Sequence, residues 1–262
     1  MNIEAGFVKA PAAAAGLLTR IARAAIDIAY PPVCLGCRAP VAAADALCPE
    51  CFRTLRPITA PFCPRLGLPF VVGLGPEAQS AEAIADPPPF RRSRSAVVYN
   101  ETARCLVSRL KYGDRPEYAG FCARLMLRAG AEFWGEGPVL VPVPLNPLRQ
   151  WRRRYNQSIE LGRILSRLTG APLEPGLVSR SRNTRQQVGL TRASRQRNVA
   201  GAFTTHPDIV RRLAGRSVLL VDDVITTGAT VRAVTHALNR AGVEKVDVIS
   251  FARVVVGDES PI

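Results

Sequence analysis

Residues 218 to 231 read VLLVDDVITTGATV, four apolar residues followed by two adjacent carboxylates and a small, hydroxyl-rich bend. Val218, Leu219, Leu220 and Val221 form too short a run for a helix, and their β-branching suits a strand buried on both faces of a parallel sheet. Beyond the bend, Val231, Val234 and Leu238 recur at helical spacing, so the segment reads strand, turn, helix. That order directs the chain toward an α/β architecture with a ligand at the carboxyl end of the strand. There, backbone N–H groups and the positive end of a helix favour an anion. Thr226, Thr227, Gly228, Ala229 and Thr230 supply such a pocket: Gly228 allows close approach, and the threonine hydroxyls add donors. Asp222 and Asp223 would repel a phosphate. As acceptors they suit a pair of sugar hydroxyls with a divalent cation nearby, and Val224 completes the stretch between acids and bend. The whole fits a ribose 5-phosphate. A plainer account, a strand ending in a solvated acidic turn with a threonine cap, suits an isolated Asp pair but leaves the single register of all three parts unexplained. No G-x-x-x-x-G-K-[ST] run occurs, which disfavours nucleotide hydrolysis of the P-loop type.

With 262 residues, 47% of them hydrophobic, the chain has material for one substantial core and a small appendage. Near the N-terminus the apolar run from Ala12 to Leu18 is brief, and Arg20 and Arg23 follow it instead of preceding it. Neither a secretory signal nor membrane insertion is expected, and a cytoplasmic location is. Leu17, Leu18, Ile21, Ala24, Ala25 and Ile28 recur at helical spacing, which predicts an amphipathic helix within residues 1–30. The formal charge of +14 is unevenly spread: residues 146–200 hold 12 Arg, no Lys and only Glu160 and Glu174. Arginine forks suit phosphate oxygens, so this stretch serves a pyrophosphate, a nucleic acid backbone, or solubility alone.

Cys34 and Cys37 form one C-x-x-C and Cys48 and Cys51 another, ten residues later. Four thiolates in two such knuckles suit tetrahedral structural zinc, with no position left open for catalysis. A pair of disulfides is the competing account, and nothing in the chain points to an oxidising compartment. Residues 31–72 are therefore expected to form a zinc-ribbon-like module. Cys63 is followed by Pro64, Arg65 and Leu66, so a further knuckle beginning there lacks its second thiol, and Cys63 reads as an ordinary cysteine. From Gly73 to Pro89 the chain is rich in Gly, Ala and Pro, which predicts a linker over 73–90 ahead of a main domain at 91–262.

Within that domain, strands are predicted at Ser95 to Tyr99, Val139 to Val143, 218 to 221 and Val246 to Phe251. Helices are predicted at Thr102 to Tyr112, Glu117 to Ala131, Asn156 to Leu168, and from the bend to Ala241. Their alternation implies an open, mostly parallel sheet with helices on both faces. Pro142 and Pro144 stiffen the turn after Val143, and Lys111 closes the first of these helices. Between Ser179 and Phe203 the chain is polar, basic and poor in core residues. It reads as an active-site lid or as a loosely held surface loop.

The stretch VDDVITTGAT resembles the signature of type I phosphoribosyltransferases, which bind phosphoribosyl pyrophosphate (PRPP). LKY at 110 to 112, VPVPL at 141 to 145, RRRYNQS at 152 to 158, TRQQVGLTRASRQRNVAGAF at 184 to 203 and LLVDDVITTGAT at 219 to 230 follow one another as in ComF-type proteins. The paired CxxC knuckles precede them, and the resemblance runs from about Pro31 to Arg253. It implies a type I phosphoribosyltransferase-like domain joined to a small four-cysteine zinc module, in proteins associated with competence and DNA uptake. It assigns Asp222 and Asp223 to the ribose and Thr226 to Thr230 to the 5-phosphate. With PRPP bound as its magnesium complex, the backbone after Val143, Arg149 with its neighbouring arginines, and Lys111 are expected to hold the departing pyrophosphate. Single-stranded DNA or DNA-uptake proteins are the partners it implies, and a PRPP sensor without catalysis is the alternative activity. Two departures stand out: the incomplete Cys63 knuckle, and Arg154 where a Gly often precedes the aromatic-Asn-Gln.

Overall fold

The computed structural model describes residues 31–75, 77–110, 116–145, 156–181, 201–213 and 215–255. The helix expected within residues 1–30, Lys111, Arg149 with its neighbouring arginines, and the basic segment 182–200 lie outside them.

Two short helices, α1 (Pro49–Thr54) and α2 (Ala81–Ala85), belong to the cysteine-bearing part. The central sheet has four parallel strands: β1 (Ser93–Val98), β2 (Val139–Pro142), β5 (Val218–Ile225) and β6 (Val246–Arg253), in the order β1-β6-β5-β2. A separate antiparallel hairpin joins β3 (Val178–Arg180) to β4 (Phe203–Thr205). Alternate strand residues enter two cores. Leu140, Leu219, Val221, Ile249 and Phe251 face one side, and Val139, Val141, Val218, Leu220 and Val248 the other. Burial on both faces is why these strands read as unbroken apolar runs.

The first face is covered by α3 (Glu101–Leu110), α4 (Pro116–Ala129) and α6 (Gln157–Thr169), whose Leu106, Met126, Leu161 and Leu165 are fully buried. The second is covered by the β3–β4 hairpin and α8 (Ala229–Arg240), through Val231, Val234 and Leu238. Short helices α5 (Ala131–Trp134) and α7 (Pro207–Arg212) complete the connections. Helix α6 starts and stops for local reasons. The Asn156 side chain accepts from the N–H groups of Ser158 and Ile159, and Gly170 at φ 73° ends the helix by donating to Ser166.

The predicted strands and long helices lie within two residues of these bounds, with one informative exception. The strand expected to stop at Val221 continues to Ile225, because Asp222, Val224 and Ile225 still pair with Ser250, Ala252 and Arg253 of β6. The two carboxylates therefore stand on the strand and not in a turn. The span 73–90 also differs from a plain linker. It contains α2, and Ala83 and Phe90 are buried in the second core. Of the expected lid, the two flanks pair as β3 and β4, while its middle lies outside the described residues.

Candidate functional site

Strand order decides where a ligand can sit. The chain leaves β2 for α6 on one face of the sheet and leaves the neighbouring β5 for α8 on the other. A crevice opens between the carboxyl ends of two strands whose connections diverge in this way. The β2 end contributes Val143, whose N–H donates to the Val221 carbonyl at 2.9 Å, and the β5 end contributes Asp222 and Asp223. Helix α6 begins at the same place, since the Ser158 hydroxyl donates to Asp222 Oδ1 at 3.3 Å.

Asp222 and Asp223 are both partly exposed as residues, though the Asp222 carboxyl itself is well shielded from solvent. Asp222 Oδ1 also accepts the Asp223 N–H at 2.9 Å, and Asp223 Oδ1 accepts the Val224 N–H at 2.8 Å. Burial, followed by the charge of Asp223, pushes the Asp222 carboxyl well above the usual carboxylate range; the Asp223 N–H and the Ser158 hydroxyl offset this only in part. The Asp223 charge is also felt across the first core. Together with burial, the larger influence, it raises the Tyr99 hydroxyl and the fully buried Cys122 thiol. A cation or a set of hydroxyl donors would relieve this concentration of negative charge.

After Ile225 the chain bends through Thr226, Thr227 and Gly228 into α8, and all three are partly exposed. Gly228 caps the helix at φ 73°, a left-handed conformation open to glycine and costly for a β-carbon, and has no side chain with which to satisfy the first amides of α8. Ala229 is buried and Thr230 half-buried behind it. Thr227 Oγ1 is buried without a hydrogen-bond partner among the described residues. Thus Val143, Asp222, Asp223, Val224 and the bend 226–230 gather at one end of the sheet. Arg149 and Lys111, expected beside them, lie outside the described residues.

Beside the β2 end, a cavity of about 260 Å³ is lined by Pro142, Pro144, Asn156, Ile159, Val178 and Arg180, among others. A larger cleft of about 520 Å³ opens elsewhere, between Asp45 and the outer faces of α4 and α6. It is lined by Glu117 and Glu160, which makes it the less suitable for a phosphate. Asn156 and Ser158 were not among the site residues expected from sequence. Asn156 carried a local signal, an Asn just ahead of an apolar-periodic helix, but the contact of Ser158 with an acid 64 residues away did not.

The second site is the cysteine module. The sulfurs of Cys34, Cys37, Cys48 and Cys51 all lie within 4.8 Å of one another, and Cys37 Sγ is 3.7 Å from Cys48 Sγ. Zn–S bonds of about 2.3 Å in a tetrahedron place sulfurs about 3.8 Å apart, so the cluster fits a zinc ion. Burial opposes ionisation of Cys34, yet the N–H groups of Cys48, Cys37 and Gly36 outweigh it and bring the thiol down to about 6. Cys51 is pushed up to about 12, by burial first and then by the other three sulfurs. Four such thiols reach full ionisation together only around a cation. All seven cysteines are free thiols, so the module has no disulfide.

A parallel sheet with two acids and a glycine bend at a topological switch, preceded by a four-cysteine module that fits zinc, is the arrangement of a phosphoribosyltransferase-domain protein with a zinc ribbon. The sequence matches the double zinc ribbon domain over residues 25–85 and the phosphoribosyl transferase domain over residues 156–259. It is 32% identical over 235 residues to the DNA utilization protein YhgH of Salmonella typhimurium, and 32% identical over 235 residues to that of Escherichia coli K12. Each alignment covers 86% of this chain and 99% of the relative. Competence protein F of Haemophilus influenzae is 40% identical over 114 residues, spanning 44% of this chain and 49% of that protein. The chain belongs to the ComF family. Among the described residues, no helix is long and apolar enough to cross a membrane.

Proposed function

We propose that the chain binds PRPP and transfers its phosphoribosyl group to an acceptor, with release of pyrophosphate. The observation that carries this is the convergence, at the β2–β5 crevice, of two partly exposed acids with a bend whose helix has no side-chain cap. Asp222 and Asp223 accept hydrogen bonds from the ribose hydroxyls, and the Ser158 hydroxyl holds Asp222 in place. The amides and hydroxyls of Thr226, Thr227, Gly228, Ala229 and Thr230 hold the 5-phosphate, with Thr227 Oγ1 supplying an uncommitted donor. Backbone after Val143, with Arg149 and Lys111, neutralises the pyrophosphate as the bond to C1 breaks. No covalent nucleophile is needed: the chain orients the ribose, stabilises the departing charge and excludes water.

The two carboxylates are hard oxygen donors of the kind magnesium takes together with phosphate oxygens. When bound, the ion screens pyrophosphate charge. A four-cysteine cluster that fits zinc favours a reducing compartment, the cytoplasm. The names of the relatives, a DNA utilization protein and a competence protein, support a role in DNA uptake or use as the process this chemistry serves. The test is incubation of the full chain with PRPP, magnesium and a panel of bases, amines and single-stranded DNA, with pyrophosphate release as the readout. Release that requires one acceptor class is expected, and no release with any of them argues for a PRPP sensor.

A second reading, single-stranded DNA binding, rests on the 12 Arg between residues 146 and 200. It requires affinity that falls steeply with salt.

A further inference from the structure

A double zinc ribbon implies two metal sites, and the backbone of this chain builds two ribbons. The bridge of Val33 with Pro40 recurs 29 residues later as Phe62 with Pro69. Cys34 N–H donates to Ala39 O at 2.7 Å, and Cys63 N–H to Leu68 O at 2.8 Å. Arg38 donates to Cys34 O at 3.0 Å with φ 67°, and Gly67 to Cys63 O at 2.7 Å with φ 66°. Val41 to Pro32 and Phe70 to Pro61 match at 2.9 Å each.

The second knuckles correspond as well. Cys48 caps α1 by accepting from Cys51 N–H, and its own N–H donates to Cys34 Sγ at 3.1 Å. Ser80 caps α2 by accepting from Ala83 N–H, and its own N–H donates to Cys63 Sγ at 3.4 Å. The positions equivalent to Cys34, Cys37, Cys48 and Cys51 are therefore Cys63, Leu66, Ser80 and Ala83.

That set does not fit zinc. It offers one thiol and one neutral hydroxyl, whereas structural zinc takes thiolates, imidazoles or carboxylates. Leu66 and Ala83, 2% and 1% exposed, fill the remaining corners. Cys63 is fully buried, and its sulfur still accepts the Leu66 and Ser80 N–H groups. These three side chains belong to the same apolar cluster as Ala229, Val231 and Val234 of α8, the helix that follows the phosphate-type bend. From α8, Arg232 donates to Asp86 and to the Pro87 carbonyl, on the chain just leaving this ribbon.

We infer that the second ribbon binds no metal, that three of its four ligand positions, Cys63, Leu66 and Ala83, have been given over to the apolar cluster it shares with α8 while Ser80 serves as a helix cap, and that each chain carries a single structural zinc. This stands apart from the sugar-phosphate reading. Zinc counted per chain by elemental analysis and native mass spectrometry on the purified full chain should give one ion, unchanged in Cys63→Ala. Two ions per chain, one of them lost in Cys63→Ala, would overturn the inference. Hydrogen exchange on the wild-type chain after chelation needs no variant. Residues 32–54 should lose protection while 61–75 and 77–85 keep theirs, and loss in both halves together would be the contrary result.

Discussion

Gly36 sits inside the zinc module where a side chain has no room. A β-carbon built there lies 2.7 Å from Cys51 Sγ and 3.1 Å from Cys51 Cβ. To restore ordinary contact at 3.4 Å, the sulfur of Gly36→Ala must retreat by about 0.7 Å. Zinc sites tolerate ligand displacements of only about 0.2 Å before a bond is compromised. Rotating Cys51 away from the new methyl would carry its thiol out of a cluster in which all four sulfurs lie within 4.8 Å of one another. We expect Gly36→Ala to bind zinc about 10- to 100-fold more weakly, the range seen when the support of a metal ligand is disturbed. That corresponds to about 1.4–2.7 kcal/mol. Competition against a chromophoric chelator measures it, with Gly135→Ala as the control, since no atom lies within 4 Å of a β-carbon there. Wild-type affinity in Gly36→Ala would refute the placement of Cys51 as a ligand.

Four further outcomes follow from the same structure. Asp222→Asn removes a charge that burial and Asp223 both oppose, so it should stabilise the fold by about 1–2 kcal/mol at neutral pH. Because the folded-state value is raised, the wild-type carboxyl contributes its full stability below the ordinary range and loses it as pH rises through the raised value. The melting gap between variant and wild type should therefore widen with pH, and a gap independent of pH would contradict this. Arg232→Met breaks the guanidinium's hydrogen bonds to Asp86 and Pro87 from a side chain only 8% exposed as a residue, and should cost about 2–4 kcal/mol in urea unfolding. Gly67→Ala drives a β-carbon to 2.4 Å from the Ser93 carbonyl oxygen of β1, at φ 66°, and should cost about 2–4 kcal/mol. Gly170→Ala, with φ 73° and open space, isolates the dihedral cost alone, about 1–2 kcal/mol.

The acids and the bend were legible because their information is local: an apolar strand, a glycine and a helix period fall within the twenty-one consecutive residues 218–238. The strand's end was misplaced for the opposite reason. Whether Asp222 continues β5 depends on its pairing with Ser250, which no local pattern encodes. The four-cysteine cluster was equally readable, since tight C-x-x-C spacing and chelation are one constraint. Its companion ribbon was not. Cysteine spacing records ligands, and there Leu66, Ser80 and Ala83 stand where thiols would be, so only backbone hydrogen bonds preserve the repeat. Ser158 and Arg232 act across 64 and 146 residues of chain, through contacts that exist only once the sheet has closed.

Calorimetric titration of the full chain with PRPP and magnesium tests the site most directly, run in parallel on wild type and on Asp222→Asn combined with Asp223→Asn. Binding by the wild type that disappears in a double variant still folded and still zinc-loaded is the expected result. Equal affinity in the two proteins would place the sugar-phosphate somewhere other than the β2–β5 crevice.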